Sequence, residues 1–443
     1  MNAEGSSRTV YKIGCESPAL GGRASARVSP PGALGENRHV GGLRGLSRFL
    51  VALVMGFLVV LSGSCTGTSE RFRYGADRLF DEPYWSWVRG KRVGLITNQT
   101  GVTNDLAPLY RKLQAHPEVR LTALFAPEHG LFGEQQAGVE IRDGAMVYSL
   151  YGEHRKPTPA MLQNVDVLVY DIQDVGARFY TYISTLGLAM EAAAEANLPF
   201  LVLDRPNPLG GVAVEGPVLE DPFRSFVGAY RIPIRYGLTP AELAHWIKKE
   251  RRLDLVLWYV PLAGWHRQYL FEELEQEWIP PSPNIPTPRS ALVYAGTCLL
   301  EGTNLSEGRG TTRPFELFGA PWLNDEVLVT LLNEAALPGV IFRRQPFQPT
   351  FSKYAGIQCR GIQIHVTDPD TFQPVLTALA ILREVLNLHP EEFEFSAETF
   401  DRLVGNSWVR RMLVESRAVR AIRERWQQDL KRYAEQREEF LLY

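Results

Sequence analysis

The stretch FAPEHGLFGEQQAG, Phe125 to Gly138, puts a carboxyl and an imidazole, Glu128 and His129, between a proline and three glycines just past an apolar run. A turn needs only glycine or proline. Glu128 and His129 are therefore surplus to the backbone and available for acid–base chemistry. Similar groups recur in similar places. Asp171 and Asp174 stand in VLVYDIQDVGARFYTY beside Arg178 and Tyr180, and Asp204 stands in LVLDRPNPLGG with Arg205 and Asn207. Glu301, Asn304, Glu307 and Arg309 crowd into LLEGTNLSEGRGTTRPF, and Asn284 sits in the proline-rich WIPPSPNIPT. Carboxylates and amides that bond hydroxyls, with aromatic rings that stack on apolar sugar faces, suit a carbohydrate cleft.

Such groups need a scaffold that brings them together. RVGLITN, RLTALF, MVYSLYG, DVLVYDIQ and PFLVLDRP are short apolar runs, and LAPLYRKLQAH and YTYISTLGLAMEAAAEAN between them carry helical spacing. Strands apolar on both faces imply a parallel sheet covered by helices. Residues 88–322 thus read as a Rossmann-like α/β catalytic domain, with 65–87 as a linker before it and 323–443 as a smaller C-terminal α+β auxiliary domain. In such sheets ligands gather at the carboxyl ends of the strands. Glu128, Asp174 and Asp204 each follow a different strand, so three strand ends are expected to deliver carboxylates to one rim. Thr239 in TPAELAHWIKKE, with Glu242 three residues later, predicts a capping box. The last stretch, RERWQQDLKRYAEQREEFLLY, alternates charge at helical spacing and reads as a solvated face.

Several functions are excluded by what the chain lacks. No GxGxxG follows the first strand, no GxxxxGK[ST] occurs and no GxSxG is present, so nucleotide binding and the familiar serine-esterase elbow are unsupported. The eight histidines show no HxH or HExxH spacing, and the four cysteines fit neither a zinc motif nor a disulfide framework. Neither a metal nor a cofactor is expected.

The first 64 residues are of another kind. Residues 1–40 lack apolar periodicity; then Arg44 and Arg48 precede thirteen apolar residues, Phe49 to Leu61, and SGSC ending at Cys65. Thirteen residues are too few to span a bilayer and suit the apolar core of a signal peptide. Small residues leading into Cys65 resemble the lipobox of bacterial lipoproteins, with Cys65 as the lipidated residue, so export and a lipid anchor facing the periplasm or cell exterior are expected. An export signal normally begins within a few residues of the start, which places the true start near Val40 and makes residues 1–39 an annotation extension. Removing residues 1–64 takes out seven basic and three acidic residues and leaves 40 Lys and Arg against 47 Asp and Glu, a net of −7. Nucleic acid is a poor partner for that charge.

Six stretches, FAPEHGLFGEQQAG, YDIQDVGARFYTY, LDRPNPLGG, VEGPVLE, PSPNIPT and LEGTNLSEGRGTTRPFELFGAPW, occur in one order and together resemble the bacterial exo-β-N-acetylmuramidase family. The resemblance runs from about residue 88 to the end. It implies a Rossmann-like catalytic domain, a smaller C-terminal domain and a glycosidase that removes N-acetylmuramic acid (MurNAc) from the non-reducing ends of peptidoglycan fragments. The family's catalytic glutamate maps onto Glu128.

Glycoside hydrolysis needs an acid to protonate the leaving oxygen. Glu128 is the candidate, with His129 beside it. Asp174, Asp204, Glu301 and Glu307 compete for the second role, and retaining, inverting and substrate-assisted routes all stay open. MurNAc carries a lactyl carboxylate that N-acetylglucosamine (GlcNAc) lacks, for which Arg178 and Arg309 are the candidate cations; Tyr180, Asn207, Asn284, Glu301 and Asn304 complete the expected substrate set. A lipid-anchored wall-glycan-binding protein without turnover, and a wall-substituent esterase acting through Ser184 or Ser306, are the alternative readings.

Overall fold

The near-continuous apolar strands divide their side chains between two cores. The computed structural model describes residues 70–128, 130–132 and 146–443, and these belong to one unit spanning Ser69–Tyr443. His129 and Cys65 lie outside the described residues. Strands β1 (Arg92–Thr97), β2 (Arg120–Ala126), β3 (Met146–Ser149), β4 (Val167–Asp171), β5 (Phe200–Leu203) and β6 (Leu257–Val260) form a sheet in the order β3-β2-β1-β4-β5-β6. All neighbours run parallel. Val93, Leu95, Val167, Val169, Leu201 and Leu203 enter one core; Ile96, Leu168, Tyr170, Phe200 and Val202 enter the other. Alternation of side chains across a strand makes each run apolar throughout when both faces are covered.

One face is covered by α1 (Leu109–Ala115) and by a segment that precedes β1. That segment corrects the expectation of a linker for residues 70–87: Phe72, Tyr74, Leu79 and Trp85 are buried against this face. A linker reading fails because packing here rests on single aromatic anchors and on close backbone approach, neither of which leaves periodicity. Gly75 donates to the Asp204 carbonyl at 3.0 Å, and a Cβ there would stand 2.4 Å from the Asp204 nitrogen. Only glycine fits.

The other face carries α2 (Tyr182–Glu195), α3 (Pro240–Arg251) and α4 (Pro288–Thr297). Thr239 and Glu242 form the reciprocal capping box at the start of α3, with Pro240 at its first position. The chain then builds a three-stranded antiparallel sheet from β7 (Leu317–Ala320), β8 (Val340–Arg344) and β9 (Arg360–Val366), in the order β7-β9-β8. Helices α5 (Asp325–Glu334), α6 (Pro374–Leu388), α7 (Ala397–Val404), α8 (Trp408–Val414) and α9 (Val419–Arg437) complete this part. The architecture is α/β, a parallel Rossmann-like sheet with a smaller α+β region. The smaller region shares its core with the large sheet, since Phe342, Val375, Phe400 and Trp426 join the cluster that holds Ile96 and Tyr170. Among the described residues no helix is long and apolar enough to cross a membrane.

Candidate active site

Strand order reverses between β1 and β4, where a doubly wound sheet leaves a ligand crevice. Here that crevice is occupied by the protein itself. Arg205 donates to Asp171 at 2.7 Å and to the Val102 carbonyl at 2.8 Å, and its guanidinium lies 4.8 Å from the Tyr74 ring centre. Both members of the pair are buried.

The other strand-end carboxylates are buried too, which corrects the expectation that they share a rim with Glu128. Asp174 accepts from Gly176 N at 2.8 Å and from the Tyr236 hydroxyl. Burial pushes its pKa up to about 6 against those bonds. Asp204 accepts from Arg205 N, Ala241 N, Thr239 Oγ1 and Tyr443 Oη at 2.7 to 3.0 Å. Burial pushes it to about 7. Asn207 bonds Leu238 O and Leu209 N and so fixes its own loop. None of the three lines the cavity that Glu128 lines: the donors that fold back onto them occupy the space around them.

Arg178 is likewise not a substrate cation. Its guanidinium donates to the carbonyls of Pro217, Ile232 and Leu403 at 2.8 to 3.0 Å. Burial pushes its pKa down to about 9. Glu307 is buried behind the loop, 3.1 Å from Lys353 and 3.5 Å from Arg309. Asn304 ties that loop to Glu392 O and Glu394 N. Ser184 spends its hydroxyl on Phe226 O at 2.7 Å, and buried Ser306 accepts from Gly308 N, so neither presents a nucleophile.

The remaining candidates do meet. Glu128, Tyr180, Asn284, Glu301 and Arg309 line one cavity of about 530 Å³, together with Tyr151, Arg155, Thr181, Phe226 and Tyr294 among others. Glu128 follows β2 by two residues, and Thr181 Oγ1, at the start of α2, donates to its Oε2 at 2.8 Å. The Tyr151 phenol has a raised pKa, first through partial burial and then through the neighbouring Glu128 carboxylate. The same cavity is lined from the short helical turn Cys298–Gly302 by Glu301, which Arg309 holds at 2.7 Å. Gly308 and Gly310, both at φ +79°, bracket Arg309 and let the backbone turn it inward onto the Phe315 ring, 5.0 Å from the guanidinium carbon. Burial raises the Glu301 pKa while Arg309 opposes. For Arg309, burial acts downward, Glu301 acts upward, and the net is a rise.

The wall between the two carboxyls is aromatic. Tyr180 and Tyr294 meet edge to face at 5.9 Å, and Tyr294 meets Phe315 at 4.7 Å. The Tyr180 hydroxyl is buried and has no hydrogen-bond partner among the described residues. The proline-rich loop that carries Asn284 is pinned by Tyr182 Oη to Pro281 O at 2.6 Å and by Trp278 Nε1 to Ile285 O at 3.1 Å. Two carboxyls, a phenol with a free valence and amide and guanidinium donors around apolar rings can bind a sugar and transfer a proton to its exocyclic oxygen. Sequence reasoning missed Tyr151 and Arg155, which sit in a polar turn after β3, and Thr181, hidden inside an aromatic run.

Comparison with known proteins bears on which sugar chemistry this is. The N-terminal model of "Exo-beta-N-acetylmuramidase NamZ" matches residues 93–289 and the C-terminal model matches residues 292–443. The chain is 46% identical over 408 residues to the peptidoglycan beta-N-acetylmuramidase NamZ of Bacillus subtilis (strain 168), covering 89% of this chain and 98% of that protein. Two crystal structures of DUF1343 family proteins from Bacteroides fragilis NCTC 9343 share the fold. One superposes with a TM-score of 0.80 at 40% identity and the other with 0.69 at 30%, each over 84% of this chain and 99% of its own.

Proposed function

The chain belongs to the exo-beta-N-acetylmuramidase NamZ family, and from that premise we propose that it hydrolyses terminal non-reducing MurNAc from peptidoglycan fragments during cell-wall turnover. The observation that carries the chemistry is Glu128, a carboxyl steadied by Thr181 at 2.8 Å inside a cavity of sugar size. Glu128 is the general acid. It protonates the glycosidic oxygen as the bond to the anomeric carbon breaks, and the carboxylate so formed takes a proton from the incoming water. Glu301 lines the same cavity, where its bond to Arg309 fixes it; in this reading it stabilises the positive charge at the anomeric carbon or steers the substrate's own acetamido group.

Release of 4-nitrophenol from 4-nitrophenyl β-MurNAc and from its GlcNAc counterpart tests this reading. The wild type turns over the MurNAc glycoside, and Glu128→Gln lowers kcat by a factor of about 10² to 10⁴ with an unchanged Tm, as loss of a general acid does. Full activity in Glu128→Gln moves the acid elsewhere, and a folded wild type inert on MurNAc removes the hydrolase reading.

The apolar run before Cys65 supports export with a lipid on that cysteine. Cys65→Ala then moves the protein from the detergent phase to the aqueous phase of a Triton X-114 partition; unchanged partitioning counts against the anchor.

A further inference from the structure

An enzyme that singles out MurNAc must meet one carboxylate that GlcNAc lacks, the lactyl group on the sugar's O3. A cation suited to that task faces the cavity and is not already neutralised. Arg178 fails on both counts, being buried on three carbonyls. Arg309 faces the cavity but is held by Glu301 and Glu307. Arg402, on the cavity margin, pairs with Glu398.

Arg155 is different. It lies six residues past the end of β3, lines the same cavity, and among the described residues forms neither an ion pair nor a hydrogen bond. Its guanidinium carbon sits 4.4 Å from the centre of the Phe226 ring, itself part of the cavity wall. A contact of this kind uses the charge of the guanidinium without using up its N–H donors, which can take a carboxylate through two parallel bonds. Arg155 also acts electrostatically on Tyr151, the phenol that neighbours Glu128. Arg155 and the acid therefore line one cavity, and both act on the same phenol.

We propose that Arg155 is the specificity residue of this enzyme and binds the lactyl carboxylate of MurNAc, with the Phe226 ring as its platform. The assignment rests on the hydrolase reading above and deepens it. Arg309 has another job, keeping Glu301 oriented. The contact is made with substrate in the ground state and the transition state alike, so it lowers KM more than it raises kcat.

The experiment compares 4-nitrophenyl β-MurNAc with its lactyl methyl ester, which keeps the shape and loses the charge. Wild type prefers the acid by about tenfold or more in kcat/KM, the size of a charged hydrogen bond at a partly exposed site. Arg155→Ala abolishes that preference by raising KM for the acid about tenfold, with kcat within about twofold and Tm unchanged; Arg155→Lys recovers part of it. The proposal is overturned by a variant that still prefers the acid, by equal losses on both substrates, or by a wild type indifferent to esterification. A wild type that binds MurNAc without cleaving it ends the hydrolase reading alone. In that case calorimetric titration of free MurNAc into wild type and Arg155→Ala still decides the arginine, an equal Kd ruling it out and a roughly tenfold weaker one supporting it.

Discussion

Two carboxylates at the carboxyl edge of the same sheet have opposite surroundings. Asp204, after β5, accepts four hydrogen bonds and does not line the cavity described above. Glu128, after β2, accepts from the Thr181 hydroxyl, neighbours the Tyr151 phenol and lines a cavity of about 530 Å³. Both occupy the position from which α/β enzymes draw their chemistry. What separates them is the supply of donors that fold back onto them. On the β4 and β5 side, Arg205, Tyr236, Thr239 and Tyr443 each bond a buried carboxylate to the protein's own loops. On the β2 side, the described residues offer Glu128 the Thr181 hydroxyl and the neighbouring Tyr151 phenol, beside a cavity with room for a ligand. Position along a strand proposes a site, and unsatisfied hydrogen-bonding capacity beside empty space decides it.

Asp204→Ala breaks this comparison at its strongest point. It leaves two backbone N–H groups and two hydroxyls without their acceptor, and each buried orphan costs about 1 to 3 kcal/mol. The net loss of stability is about 3 to 5 kcal/mol, read as a fall in Tm, while kcat of the protein that remains folded stays within about threefold. A hundredfold loss of kcat at unchanged Tm would return Asp204 to the catalytic set.

A milder probe uses proton linkage at the same group. Burial raises Asp204 to about 7 and Asp174 to about 6, against about 4 for such groups in the unfolded chain. Between those limits the folded protein binds more protons than the unfolded one, so this stabilisation is complete below about pH 4 and is lost as pH rises through 6 to 7. Asp204→Asn should therefore flatten the decline of Tm between pH 5 and 8, by roughly 2 to 5 °C relative to wild type. Identical slopes would mean that Asp204 is ionised throughout.

The sheet was readable because burial on both faces writes itself into consecutive residues, and TPAE announced the cap of α3 for the same local reason. Half of the proposed site was readable too, since Glu128, Tyr180, Asn284, Glu301 and Arg309 sit in loops whose glycines and prolines mark fixed turns. The errors share one cause. Asp204 is closed over by Tyr443, 239 residues away, and Arg178 by the Leu403 carbonyl, 225 residues away. Nothing near Asp204 or Arg178 in the chain distinguishes them from Glu128 or Arg309. Arg155 failed to stand out for the converse reason: its platform, Phe226, arrives from 71 residues on, and the turn that carries it reads as an ordinary polar loop.

The smallest expected effect is the sharpest test of the idea that open bonding capacity marks function. Tyr180 is buried in the aromatic wall between Glu128 and Glu301, and its hydroxyl has no partner among the described residues. A buried hydroxyl without a partner is a cost to the folded protein. Tyr180→Phe removes one oxygen, keeps the ring and its edge-to-face contact with Tyr294, and should leave Tm unchanged or raise it slightly, by no more than about 1 kcal/mol of stability. If the cost is retained because a sugar hydroxyl or the acetamido group completes the bond, the same variant raises KM for 4-nitrophenyl β-MurNAc by about three- to tenfold, with little change in kcat. A Tm that falls would mean the hydroxyl is bonded in the folded protein, which places Tyr180 with Asp204 on the structural side. An unchanged Tm with an unchanged KM would detach open bonding capacity from substrate binding at this position, and the criterion that separates Glu128 from Asp204 would then rest on cavity access alone.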